Sequence, residues 1–251
     1  MCSDGDREYV EFDVDIEKAS AASPYIKRRL ASLSHRRTFK FINVSPYQMQ
    51  TFLKHLHTGI YDPADISRWH KDKFSVIHGQ LDFYLFCVKL EYKLLIDQVR
   101  VGIQGAFDAL SWSPLPDLHD TVKFSYGTQV EGYYLGAGHT GTLLVLLFDG
   151  TANYYPLIST DDPLRKSLLR YLVNLWRSYS TLFLEDRVDA YMTKRRPELW
   201  QDMKSYKEEF PADFYESHAP KYGRGGWDKI SLAEIIDLLR SNLPNDLYST
   251  S

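Results

Sequence analysis

The sequence predicts an α/β (α+β) protein: a small sheet flanked by helices, then a β-hairpin insertion, then a mainly helical C-terminal region. Three observations predict it. "EYVEFDVDI" (8–16) sets Val10, Phe12, Val14 and Ile16 against Glu11, Asp13 and Asp15, the period of two of a half-buried strand. "TFKFINV" (38–44) and "TGTLLVLLFDGTANYYPLI" (140–158) are strand-like, the latter with Asp149-Gly150 as its hairpin turn. Between and after them, apolar residues recur at i, i+3, i+4 and i+7, the helical period.

The elements follow in order. Residues 23–32 read as a short helix with Pro24 at its first position, where a missing N–H costs nothing. Ser45-Pro46-Tyr47-Gln48 is a capping box, and Met49, Phe52, Leu53 and Leu56 then build one apolar helix face. His55 and His57 lie two apart on that helix and point about 200° away from each other, so they cannot share a metal ion. Gly59 sits where a left-handed C-terminal cap is wanted, which makes "HLHTG" a helix end. "YDPADISRWHKD" reads as a polar connection.

Two helices follow. One spans 74–92 with Ile77, Leu81, Tyr84, Leu85 and Val88 inward, the other 94–109 with Leu95, Val99, Ile103 and Phe107 inward. "SWSPLPDLHD" (111–120) carries two prolines and marks a domain boundary. Beyond it, 121–159 is strand-like and 162–243 helical. Asp162-Pro163 opens a helix to residue 184 with Leu164, Leu168, Leu172, Leu175 and Tyr179 inward. Residues 196–210 make another, and "HAPKYGRGGW" (218–227) is a linker. Ser231 and Glu234 form a second capping box for a final amphipathic helix (231–243).

Composition narrows the function classes. The net charge of −3 supplies no overall pull toward nucleic acid or anionic lipid. The two cysteines, Cys2 and Cys87, make a disulfide framework unexpected. Neither a signal peptide nor a run of roughly 18 apolar residues is present, so an intracellular protein of nucleus or cytoplasm is expected. The 18 tyrosines, 13 phenylalanines and 5 tryptophans suit both a core and a contact surface.

Motifs for chemistry are weak. "GAGHTG" (Gly136, Gly138, Gly141) matches G-x-G-x-x-G, but the strand-like "TLLVLLFDG" follows it where a dinucleotide site needs a helix N-terminus. The histidines and cysteines show no HExxH, CxxC or paired metal-ligand spacing, and there is no G-x-S-x-G elbow. Cys87 falls inside an apolar helix. Asp161-Asp162 precedes Pro163 and reads as a helix cap. No catalytic, cofactor-binding or metal-binding residue is assigned, and neither enzyme activity nor a cofactor is expected.

The order strand, short helix, strand, capped helix and helix pair resembles a BTB/POZ domain. The resemblance is carried by Ser23-Pro24-Tyr25 at the family's "S-x-Y/F" position, by "FKFINVSPYQMQTFLKHLHTGIY" (39–61) and by "LDFYLFCVKLEYKLLIDQV" (81–99). Further on, "YGT" (126–128), "DDPLRKSLLRYLV" (161–173) and "RPELWQDM" (196–203) are similar to the "Y-x-x-T", "D-x-x-L-R" and "P-E-F-x-x-D" motifs after the BTB domain of many fungal BTB proteins. The resemblance implies a BTB-like domain over 8–110 and a C-terminal extension over 121–251, with 131–159 as an insertion.

It also implies a non-catalytic protein–protein interaction module, an adaptor or scaffold subunit of a larger complex. The chain departs from the family in three ways. Few residues precede the first strand, the opening histidine is missing, and "ASLSHRR" (31–37) lacks the acid of cullin-3 adaptors. A hetero-oligomeric protein partner is therefore expected, rather than a homodimer or cullin-3. The candidate partner-binding residues are Glu11, Asp13 and Asp15 on the first strand, Arg28, Arg29, Arg36 and Arg37 in the arginine-rich segment, and Leu232, Ile235, Ile236 and Leu239 on the last helix. The arginines leave open an alternative, a chromatin-associated regulator contacting nucleic acid or acidic partners, and behind it stands a nucleotide-binding enzyme using the Gly136–Gly141 loop.

Overall fold

The computed structural model describes residues 12–32, 41, 44–69, 73–111, 129–130, 133–134, 150–178, 185–210, 232–241 and 243. They form helices α1 (Ile16–Ala22), α2 (Pro24–Ala31), α3 (Pro46–Thr58), α4 (Pro63–Ser67), α5 (Lys73–Leu90) and α6 (Lys93–Ser111), then α7 (Pro163–Ser178), α8 (Glu185–Arg195), α9 (Pro197–Glu209) and α10 (Leu232–Ser241). A single helical turn at Gly150–Ala152 and a 3₁₀ turn at Tyr155–Leu157 lead into α7.

The predicted α/β fold class is overturned. The described residues are 80% helical and hold no sheet on which helices could pack. Their one ladder pairs Gln129–Val130 with Tyr133–Tyr134, two residues a side and antiparallel. The expected hairpin strand is replaced over 150–157 by helical and 3₁₀ turns, with Tyr155 and Ile158 buried. Near the N-terminus the Asp15 carboxylate accepts from Lys18 N–H at 3.0 Å, which caps α1 and stops the predicted strand at its last residue. Phe12 and Val14 pack on the core while Asp13 and Asp15 stay exposed, but Ile16, expected inward, opens α1 and is 44% exposed, and the segment has no partner strand among the described residues. Residues 38–40 and 42–43 of the second expected strand, and Asp149, lie outside the described residues.

The helices form for legible reasons. Ser23 Oγ accepts from Ile26 N–H at 3.1 Å to start α2. Gln48 Oε1 accepts from Ser45 N–H at 2.9 Å, the return half of the capping box. Gly59 closes α3 at φ 71°, a left-handed conformation natural to glycine. The supposed polar connection holds α4, started by Asp62 accepting from Ala64 N–H at 3.0 Å, with Pro63, Asp65, Ile66 and Ser67 buried.

One cluster of buried side chains runs through both halves of the sequence, and α6 is its axis. Leu95, Val99, Ile103 and Phe107 make the buried stripe of α6, and the Phe107 and Tyr171 rings meet at 4.8 Å. On another side α10 lies against α6 and α4, with Ile235, Leu239 and Leu243 buried and Arg240 reaching Asp62 at 3.0 Å. The α6–α10 approach is close enough that a Cβ on Gly102 would stand 2.9 Å from the Leu239 carbonyl oxygen. Gly102→Ala is therefore expected to destabilise the chain by about 1–2 kcal/mol, although alanine is the better helix former by about 1 kcal/mol. Chemical denaturation checks it, and a net gain would show that α10 does not seat on Gly102.

Candidate partner-binding surface

The sequence-predicted residues do not converge. Glu11, Arg36 and Arg37 lie outside the described residues. Asp13 is exposed and Asp15 caps α1. Ile235 and Leu239 face the chain's own core, with Leu232 and Ile236 half-buried. Arg28 and Arg29 are exposed near the end of α2, and Arg28 leads to a feature that sequence reasoning missed.

That feature is the turn between α5 and α6. Glu91 N–H donates to the Val88 carbonyl at 3.0 Å and Tyr92 N–H to the Cys87 carbonyl at 3.4 Å, the paired closure of a Schellman motif. Its left-handed position is normally glycine, and here it is Glu91 at φ 57°. The Glu91 carboxylate accepts two bonds from the Arg28 guanidinium, one at 3.0 Å and a shorter one. This clasp holds the Glu91 carboxyl below the usual carboxylate range. A second tie runs from Ser23 Oγ to the Leu90 carbonyl at 2.5 Å, so the start of α2 is bound to the end of α5.

Around this clasp the surface is basic and apolar. Lys27, Arg29, Lys89 and Lys93 are exposed and carry no ion pair among the described residues. Val88 is 41% and Leu94 51% exposed, one on each side of the turn. Val88 was expected inward. Because α5 buries Leu81, Phe83, Tyr84, Phe86, Cys87 and Leu90, its neighbours and not its periodicity decide which residue is left outside. A second exposed apolar group, Trp69, stacks on Tyr47 at 6.2 Å between ring centroids.

Beneath the turn, Tyr92 packs edge-on against Phe52 and His55. His55 is fully buried; its Nε2 meets Gln98 Oε1 at 3.1 Å, while its Nδ1 reaches no partner among the described residues. Burial lowers the His55 pKa, and the Gln98 bond only partly opposes it. A folded-state value below that of the unfolded chain means acid favours unfolding. The stability from neutral His55 is complete above the ordinary histidine value and is lost as pH falls through the folded value. The melting temperature of the wild type should therefore drop more between pH 7 and pH 5 than that of His55→Gln. Parallel curves would assign the acid sensitivity to other groups.

Three tyrosines elsewhere keep their phenol protons. Tyr154 donates to Asp82 at 2.8 Å, Tyr155 to Asp202 at 2.6 Å, and Tyr84 to Asp162. Burial first and the carboxylate second push Tyr155 up to about 12, and Tyr84 and Tyr154 still higher. Such phenols are neither bases nor nucleophiles near neutrality; they clip the 150–162 segment to α5 and α9. Cys87 is buried, and burial raises its thiol well above the ordinary value. The "D-x-x-L-R" and "P-E" residues serve the same end, Arg165 pairing with Glu198.

Among the described residues no group of three or more His, Cys, Asp or Glu could hold a metal ion, and no helix is long and apolar enough to cross a membrane. "GAGHTG" lies outside the described residues. No protein-family model, curated protein or solved structure matches this chain.

Proposed function

We propose that this chain is a non-catalytic protein-binding module, a subunit or adaptor of a larger assembly. One observation carries the reading: Val88 and Leu94 stand exposed at the α5–α6 turn beside the exposed Lys89 and Lys93, and α2, clasped to that turn through Arg28, exposes Lys27 and Arg29; none of these four cations has an ion-pair partner among the described residues. Exposed aliphatic groups within a polar rim are the anatomy of a protein contact. The cations alone would also suit nucleic acid, which gives the second reading its one observation.

Affinity purification of the tagged chain after nuclease digestion tests the reading. A near-equimolar protein that remains bound, and is lost with Leu94→Asp, is the expected result. A lone monomer, or capture that nuclease abolishes, would sink it.

A further inference from the structure

We propose that the α5–α6 turn, with the adjoining face of α2, takes an acidic protein segment with apolar anchors. In the free protein Glu91 occupies Arg28 as an internal stand-in for a partner carboxylate. This rests on the protein-binding reading and names the partner's chemistry.

Charge complementarity selects the partner. The stretches Lys27–Arg28–Arg29 and 88–94 together hold five cations, Lys27, Arg28, Arg29, Lys89 and Lys93, against one acid, Glu91. In a chain of net charge −3 this is a local concentration of positive charge, suited to steering an acidic ligand. Val88 and Leu94 separate a protein segment from a nucleic acid. Phosphate backbones take cations and have no use for exposed aliphatic groups flanking the same turn.

The clasp supplies the second argument. A guanidinium fork bound bidentately by a carboxylate already shows what this surface recognises. The carboxylate comes from a residue held at φ 57°, where glycine would sit without strain, and the pair is solvent-exposed, with the Arg28 side chain 62% and the Glu91 side chain 45% accessible. An exposed ion pair exchanges readily for a partner's carboxylate. Glu91 therefore lowers affinity for an acidic segment by the fraction of time that it holds Arg28.

The test uses the full chain as bait for a displayed random-peptide library. Enriched peptides are then measured by fluorescence polarisation against wild type, Lys89→Glu/Lys93→Glu, Leu94→Asp and Glu91→Gly, with a 20-base-pair duplex as the nucleic-acid probe. All four residues are exposed, and melting temperatures check that each variant folds. The expected peptides combine Asp or Glu with Leu, Ile or Phe. They lose at least about tenfold in affinity on charge reversal and on Leu94→Asp, and bind Glu91→Gly several-fold more tightly. Peptides that bind all variants equally would overturn this surface and leave the protein-binding reading standing. A duplex retained with steep salt dependence, with no peptide enriched, would overturn both. If neither probe binds, this proposal falls, and the purification experiment decides the broader reading.

Discussion

Arg165→Met is expected to lower the unfolding free energy by about 3 kcal/mol, while Glu198→Gln, which removes only the charged partner, costs less than about 1 kcal/mol. The asymmetry follows from where each end of the pair lies. The Arg165 side chain is 10% accessible and the Glu198 side chain 65%. Arg165 Nη1 donates to the Ile158 carbonyl at 3.1 Å and the Tyr155 carbonyl at 3.4 Å, and its guanidinium carbon sits 4.0 Å above the Tyr155 ring. Methionine matches the length but strands the Ile158 carbonyl, leaves the Tyr155 carbonyl only the Ile158 N–H, and strips the ring of its cation. Arg165→Lys restores charge, yet one ammonium cannot serve the carbonyls and the carboxylate together, so more than about 1 kcal/mol stays lost. Urea denaturation of the three variants checks the order. Equal losses for Arg165→Met and Glu198→Gln would make the ion pair, not the backbone carbonyls, the important contact.

Phe107→Ala is expected to cost about 3–5 kcal/mol and to melt the chain as one unit. Phe107 has no accessible surface and its ring lies on Tyr171, itself 1% accessible. The stripe that ends in Phe107 is shared: α5 packs on one side of α6, α7 on another and α10 on a third. A cavity there removes contacts from both sequence halves at once. Calorimetry with circular dichroism would show a single shifted transition. A two-step melt in which the N-terminal half keeps its wild-type midpoint would mean that the halves fold independently.

Much of the helical framework was legible, because helix signals are local. Ser45, Pro46 and Gly59 bound α3, Pro163 opens α7 and Pro197 opens α9. The α6 stripe is legible for the same reason: Leu95, Val99, Ile103 and Phe107 recur at the helical period. The sheet was misread because a strand is not a local object. Phe12 and Val14 do turn inward while Asp13 and Asp15 turn out, but alternation shows only which side is buried and not whether another strand supplies hydrogen bonds. The short α4 escaped because its buried residues include polar ones: Asp65 takes its partner from α3, and Ser67 bonds back within the helix. Asp65 receives Lys54 at 2.6 Å, and Ser67 donates to the Pro63 carbonyl at 2.8 Å.

The candidate surface divides in the same way. Its charges could be read from "KRR" and from Lys89 and Lys93, but nothing in the sequence joins segments more than sixty residues apart. The sequence by itself determined the helices, their caps and their apolar faces, since each depends on neighbours within a turn or two. Only the tertiary structure decided that the alternating N-terminal segment carries no ladder among the described residues, that α10 buries Ile235 and Leu239 in its own core, and that Val88 and Leu94 stay outside. Those outcomes depend on which surfaces meet, and a helix apolar on every side, as α5 nearly is, exposes whichever face its neighbours leave uncovered.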